Sequence, residues 1–272
     1  MFEFGRKHFP YLVGFATAAL TIALTLAIRR ADLEGFRELQ KVRAEFGARE
    51  VGNTLEERVR SLQRMATRLA SQKSSDSAVW RVDAKSLRLD FNDIEAISYA
   101  GFRSGERWRS ASLEADLPAV DVPRLEPGSV RIHTFFHRGE AKIAVFVPVV
   151  RGEASEETVT GLFDASRMFA SLRKLKFSLT EVVAGEAVLF SNVDERSKAQ
   201  AGEWVKERNV ANPWMDLRAR TFPTVQAMQI GQSSISWVVF AAGIFISILI
   251  AWVALLGRHL EGKRRAALAA NR

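Results

Sequence analysis

Two long apolar segments constrain this chain more than any other feature of its sequence. Residues 9–28 (FPYLVGFATAALTIALTLAI) and residues 235–256 (ISWVVFAAGIFISILIAWVALL) contain no charged side chain. About 20 apolar residues are needed to cross the hydrocarbon core of a bilayer, and in lipid such a segment must be helical. A cleaved signal peptide is the alternative for the first segment, but its apolar run exceeds the roughly 7–15 residues of a signal peptide. The sequence therefore predicts two transmembrane helices.

Basic residues after the second apolar segment predict the orientation in the membrane. The tail, residues 257–272, carries five Lys and Arg residues against one acid, Glu261. Short loops rich in Lys and Arg stay in the cytoplasm. We therefore expect the tail and residues 1–8 in the cytoplasm, both helices in the membrane, and residues 29–234 on its far side.

The net charge of +8 does not point to a nucleic acid partner. The tail supplies +4 of that charge. Topology and attraction to anionic lipid headgroups account for basic residues at a membrane boundary. Membrane lipids are thus the expected partners, and nucleic acid is not.

Residues 31–73 have the apolar spacing of one long helix that continues from the first transmembrane segment. Part of it, residues 55–69, repeats apolar side chains in alternating steps of four and three, which is typical of a coiled-coil seam over two heptads. Two heptads are fewer than the three or four that identify a coiled coil. Either this face covers the chain's own domain, which we favour, or it forms a homodimer. The seam residues are Leu55, Val59, Leu62, Ala66 and Leu69.

Residues 74–233 alternate in hydrophobicity with a period of two, which predicts an antiparallel sheet with flanking helices. Three connections (Ser104–Glu106, Arg138–Glu140 and Ala184–Glu186) have a central glycine, as tight hairpins require. The fold class is α+β. Predicted strands cover residues 94–102, 107–112, 130–137, 141–150, 159–163, 179–183, 187–190 and 214–222, with helices at 165–174 and 194–209 and a proline-containing loop at 113–128.

Several segments resemble the CHASE and related PAS-like extracytoplasmic sensor domains of bacterial membrane receptors. They are residues 91–97 (FNDIEAI), 147–149 (VPV), 161–163 (GLF) and Trp214 ahead of the second apolar segment. The resemblance covers residues 31–233 and implies a ligand-sensing domain in the periplasm, between two transmembrane helices in the inner membrane of a bacterium. Such receptors continue into a histidine kinase or a nucleotide cyclase, whereas here we expect no output domain after Arg272.

The residues that enzymes and metal sites require are scarce. The sequence contains no cysteine, and phosphate-binding, hydrolase and zinc-protease motifs are missing. Among four histidines, only His133 and His137 lie away from the predicted membrane ends, on one strand face with Phe135 between them. We expect no catalytic site, no metal and no cofactor.

A small-molecule site has one candidate group of residues. Trp108 between Arg107 and Arg109 could offer an aromatic ring and a cation to a small anionic ligand, with His133 and Phe135 on the same concave face. The alternative, which we favour, is that Trp108 packs in the core while both arginines point into water.

The sequence is compatible with two functions. In the first, which the missing output domain favours, the chain is a non-catalytic subunit that contacts other membrane proteins of a respiratory, photosynthetic or transport complex. In the second, it is the ligand-sensing input module of a receptor of the histidine kinase or cyclase type. Candidate contacts for a neighbouring membrane helix lie in the second segment at Trp237, Phe240, Gly243, Phe245 and Trp252.

Overall fold

A single helix of 70 residues, α1 (Phe2–Ser71), begins the structure. The computed structural model describes residues 2–71, 77–102, 104–111, 121–152, 154–175, 178–231 and 234–270. It divides into a helical unit, Met1–Leu39 with Gln226–Arg272, and a sheet unit, Gln40–Val225. Residues 112–120 are not among the described residues, so Pro118 of the predicted loop lies outside them.

Among the described residues, two helices are long and apolar enough to cross a membrane by length and composition. They are α1 and α6 (Ser234–Ala270), whose most apolar 18-residue windows have mean hydropathies of 1.8 and 2.7. Thr21 of α1 faces Gly243 of α6, and Gly14 faces Ala251. Small residues let helix backbones approach closely in lipid.

Nine strands in the described part of the sheet unit form two antiparallel sheets. The first has five strands in the order β2-β1-β5-β4-β3, and the second has four in the order β7-β6-β9-β8. The strands are β1 (Ile94–Gly101), β2 (Arg107–Ala111), β3 (Arg131–His137), β4 (Glu140–Arg151), β5 (Ala154–Asp164), β6 (Ser178–Ala184), β7 (Ala187–Ser191), β8 (Lys206–Asn209) and β9 (Leu217–Pro223). The other helices are α2 (Ser77–Asp90), α3 (Ala165–Met168), α4 (Glu195–Ala201) and α5 (Val225–Gly231), with 3-10 turns at Ala170–Lys174 and Gly202–Trp204.

The apolar seam of α1 lies in the core of the sheet unit. All five seam residues are at most 3% exposed and share one cluster with the five-stranded sheet. Gly161 of β5 faces Leu62 so closely that a Cβ there would lie 2.7 Å from the leucine Cδ1. The seam therefore covers the chain's own domain, which confirms the favoured expectation, and the homodimer alternative for residues 55–69 is wrong because the seam side chains are already buried.

The predicted α+β class and the long helix are confirmed, and so are the three glycine hairpins. Gly105, Gly139 and Gly185 have φ values of +71°, +83° and +58°, which cost glycine nothing. Asp164 caps the helix that follows β5, since its carboxylate accepts a hydrogen bond from the Arg167 N–H at 2.9 Å.

The strands form two sheets where the sequence predicted one, and two further elements differ from the predictions. Helix α2 falls where no element was predicted. The predicted helix at 194–209 is wrong in its second half, because α4 ends at Ala201 and residues 206–209 form β8 instead. Ion pairs from Glu207 to Arg218 and Arg220 of β9, at 2.8 and 2.6 Å, help to hold β8 in the sheet.

Candidate ligand-binding site

Edge strand β2 presents different side chains on its two faces. Trp108 lies opposite Tyr99 of β1, and the two rings stack with centroids 4.3 Å apart. Trp80 of α2 adds a second ring at 5.9 Å from Trp108. Because side chains alternate along a strand, Arg107 and Arg109 project from the opposite face, where both are exposed. The tryptophan ring thus packs toward the core, while the arginines are available to a ligand.

A cavity of about 380 Å³ is associated with the arginine-bearing face of the sheet. This volume lies in the range of small-molecule sites, roughly 300–1,000 Å³. Strands β1, β2 and β5 supply most of the wall, and the segment before β3 supplies the rest. The lining residues are Ala96, Ser98, Tyr99, Ala100, Arg107, Trp108, Arg109, Asp121, Val122, Thr160 and Leu162.

The segment 121–125 covers part of this face through apolar contacts. Leu125 and Val122 belong to a cluster with Ala96, Leu162 and the neighbouring strand β4. The Thr158 hydroxyl donates to the Pro123 carbonyl at 3.4 Å. One wall of the cavity is therefore a loop anchored on the sheet.

Polar groups in the cavity are available for a ligand. Within the described residues, Arg107, Arg109 and Asp121 make no ion pair, and the buried Thr160 hydroxyl has no hydrogen-bond partner. A guanidinium donates paired hydrogen bonds to a carboxylate or phosphate, and a carboxylate accepts from an ammonium. This arrangement is suited to a small anionic or zwitterionic molecule.

His133 and Phe135 lie on the same sheet face but not at this cavity. Both are on β3, the edge strand opposite β2, and their rings are 6.0 Å apart. Four strand spacings of about 4.8 Å separate the two edges, or roughly 19 Å. The structure therefore brings together Arg107 and Arg109 but leaves the histidine and phenylalanine apart from them.

A buried lysine on β4 is surrounded by carboxylates. The Lys142 ammonium lies 2.7 Å from Glu95, 2.7 Å from Glu140 and 3.0 Å from Asp164, and its side chain is 3% exposed. Burial alone would lower the pKa of Lys142, but hydrogen bonds to the three carboxylates outweigh it and raise the pKa.

The same contacts set the ionisation of Asp164. Burial would raise its pKa, but the hydrogen bond from the Arg167 N–H and the adjacent Lys142 ammonium hold that pKa below its usual range. Oxygens of the three acids lie within 4.8 Å of one another, as a metal site would require. The Lys142 ammonium already provides their positive partner.

Solved structures resemble this chain. The ligand-binding domain of the Pseudomonas aeruginosa PAO1 amino acid chemoreceptor PctC, in complex with GABA, aligns with a TM-score of 0.52 at 14% identity, over 68% of this chain and 99% of that one. The domain of the Pseudomonas fluorescens chemoreceptor CtaA, in complex with L-isoleucine, gives 0.54 at 14% identity, over 74% and 98%. The P. aeruginosa PAO1 chemoreceptor PctB, in complex with L-Arg, gives 0.51 at 16% identity, over 72% and 97%. No protein-family model and no curated protein matches the sequence.

The fold is that of a chemoreceptor ligand-binding domain. This likeness agrees with the predicted PAS-like sensor architecture. The similar structures do not show that the domain is of the CHASE type in particular.

The candidate contact residues of the second apolar segment divide into two groups. Trp237, Phe245 and Trp252 are 64–70% exposed, and the Trp237 ring meets Phe240 edge-on at 6.0 Å. Gly243 instead faces Thr21 of the chain's own first helix. The aromatic side chains are open to lipid or to another helix, whereas the glycine serves contact within the chain.

Sequence reasoning missed Thr160, Asp121 and the lysine cluster of the sheet unit. Thr160 is one of several polar residues in β5, and nothing local marks it as facing a cavity. Lys142 did carry a signal, because a lysine inside an otherwise apolar strand implies a buried acidic partner.

Proposed function

We propose that this chain is the ligand-sensing input module of an inner-membrane receptor, and that its cavity beside β2 binds a small molecule with an anionic group. One observation carries the proposal: two exposed arginines and an unpartnered buried hydroxyl border a cavity of ligand size. The likeness to chemoreceptor ligand-binding domains supports it. Binding without catalysis is the proposed activity.

The ligand class follows from the charges at the cavity. GABA, L-isoleucine and L-Arg, found in the similar structures, each combine a carboxylate with an amino group. Arg107 and Arg109 suit the carboxylate, and Asp121 suits the ammonium. An amino acid or a related small zwitterion is therefore our proposed ligand.

The sensing hypothesis replaces the one we favoured from the sequence. Nothing in the fold or in the comparisons supports a structural subunit of a respiratory, photosynthetic or transport complex. Two apolar helices flanking a sensor-like domain fit an inner-membrane protein with a periplasmic domain. Cytoplasmic termini remain part of the proposal, as does a signalling partner that reads the sensor.

Calorimetric titration tests the proposed site. The full chain in detergent micelles is titrated with a panel of amino acids, GABA and matched compounds that lack either the carboxylate or the amino group. We expect binding that requires the carboxylate. Arg107→Ala and Arg109→Ala should each weaken it at least about tenfold, since a hydrogen bond to a charged group contributes about 1.5–3 kcal/mol.

Arg196→Ala is the matched control, because Arg196 is an exposed arginine on α4 in the part of the sheet unit built on the second sheet. It should bind like the parent chain. Equal affinities of all three variants would overturn the arginine assignment, and no binding across the panel would overturn the ligand class.

A further inference from the structure

Helix α2 has a second apolar face that the domain does not use. Its inner face, with Trp80, Ala84 and Leu87, is buried. Its outer face carries Val79, Val82 and Leu89, whose side chains are 40%, 68% and 77% exposed.

The spacing of this outer face is that of a coiled-coil seam. Positions 79, 82, 86 and 89 follow steps of three, four and three, with Ser86 at the third position. This is the alternation of a and d positions over two heptads. Isolated exposed apolar residues are ordinary, but three at a and d spacing on one helix face form an apolar stripe that a second helix can cover.

Charged residues beside the seam favour a parallel copy of the same helix. With Val79 and Ser86 at a positions, Lys85 occupies g and Asp90 the following e. In a parallel pair, g of one helix meets e of the other five residues later, so Lys85 meets Asp90 of the second copy. Both are exposed, and neither has an ion pair in the described part of the chain. An antiparallel pair would instead set Asp83 against Asp90.

We propose that α2 is a homodimer surface, on which a second copy of this chain docks its own α2 in parallel register. Two-fold symmetry makes such a surface self-complementary, and every Lys85–Asp90 contact occurs twice. Two heptads with one serine layer are too short for a stable dimer in dilute solution. Confinement in one membrane raises the effective concentration, which makes a weak seam sufficient.

Disulfide cross-linking in membranes tests this surface directly, because the chain has no cysteine of its own. Val82→Cys and Leu89→Cys variants of the full chain are oxidised in isolated membranes and separated by non-reducing electrophoresis. In the parallel register each residue lies beside its own copy, so both variants should form covalent dimers. Arg81→Cys, exposed on the same helix but off the seam, should form several-fold less. Equal cross-linking at all three sites, or at none, would overturn the proposal.

Charge reversal gives a second, independent readout. On the Val82→Cys background, Lys85→Glu and Asp90→Lys should each reduce the dimer yield by at least twofold, and the double variant should restore it. Restoration excludes a folding defect as the cause of the loss. Additive losses in the double variant, or cross-linking of Val82→Cys to a different protein, would contradict a homodimer.

Discussion

Two residues of the sheet unit, Lys142 and Asp164, carry charges that are buried in the fold. Lys142 is the positive centre of a cluster in which Asp164 is also almost fully buried. Breaking such a cluster on one side leaves uncompensated buried charge, which is much more costly than losing an exposed ion pair.

Replacing Lys142 with methionine should therefore lower the free energy of unfolding by about 3–5 kcal/mol. Urea titration of the full chain in detergent micelles, followed by tryptophan fluorescence, measures this change. Glu140→Gln is the control: its side chain is 67% exposed, so its loss should cost less than about 1 kcal/mol. Similar effects of the two variants would mean that burial does not set the strength of the cluster.

The cluster also predicts a pH dependence. The pKa of Asp164 is lower in the folded chain, so its contribution is present above the unfolded pKa of about 3.9 and is lost as pH falls through the folded pKa. The pKa of Lys142 is raised, so its contribution is present below the unfolded pKa of about 10.4 and is lost as pH rises through the folded pKa.

We expect the cluster's contribution to stability to be constant between about pH 5 and 9 and to decline below about pH 4. Asp164→Asn, compared with the parent chain in urea titrations from pH 3 to 7, should be less stable at pH 7 and show a smaller loss toward pH 3. Parallel pH curves for the two chains would contradict this prediction.

Among the elements, helix α1 contacts both sheets, and a glycine lies at each contact. Gly161 of β5 faces α1 from the first sheet, and Gly47 of α1 faces the second sheet. The two glycines differ in the space available for an added Cβ. At Gly161 an added Cβ would lie 2.7 Å from Leu62 and 2.8 Å from Phe163, both fully buried. At Gly47 an added Cβ would lie 3.6 Å from the Thr221 hydroxyl, an ordinary contact distance.

Gly161→Ala should thus destabilise the sheet unit by about 1–3 kcal/mol through overpacking. Gly47→Ala, the control, should be neutral or stabilise by up to about 1 kcal/mol, because alanine is the better helix former. Urea titration compares the two variants. Destabilisation by Gly47→Ala and not by Gly161→Ala would reverse our account of the helix–sheet contacts.

Elements specified by nearby residues were predicted, and those specified by distant residues were not. The hairpins depend on a glycine between two alternating runs, so their sequence signal is local. Strand β8 (KERN) is entirely polar and depends on β9. Helix α2 has apolar residues on both faces, which obscures its period. The same distinction applies to the cavity. Arg107 and Arg109 were candidates from the sequence because they flank a tryptophan, whereas Thr160 lines the cavity from a strand about fifty residues further along the chain.

For the whole molecule, the two apolar helices and the basic tail predict which parts of the chain face the cytoplasm. Glu195, whose side chain is 93% exposed in the sheet unit, and Lys263, exposed on α6, are suitable labelling sites. In intact cells a membrane-impermeant maleimide should label a Glu195→Cys variant and leave a Lys263→Cys variant unlabelled until the inner membrane is permeabilised. The reverse pattern would overturn the topology and the proposed sensing of a periplasmic ligand.

Edge strand β2 has a consequence for how such a protein can diversify. One face of this five-residue strand anchors the domain through Trp108, and the other exposes Arg107 and Arg109 beside the cavity. Substitutions at the two arginines leave the aromatic stack intact, because neighbouring side chains point in opposite directions. Mutational drift at these two codons can therefore change which small molecule the proposed site binds while the aromatic stack and the fold persist.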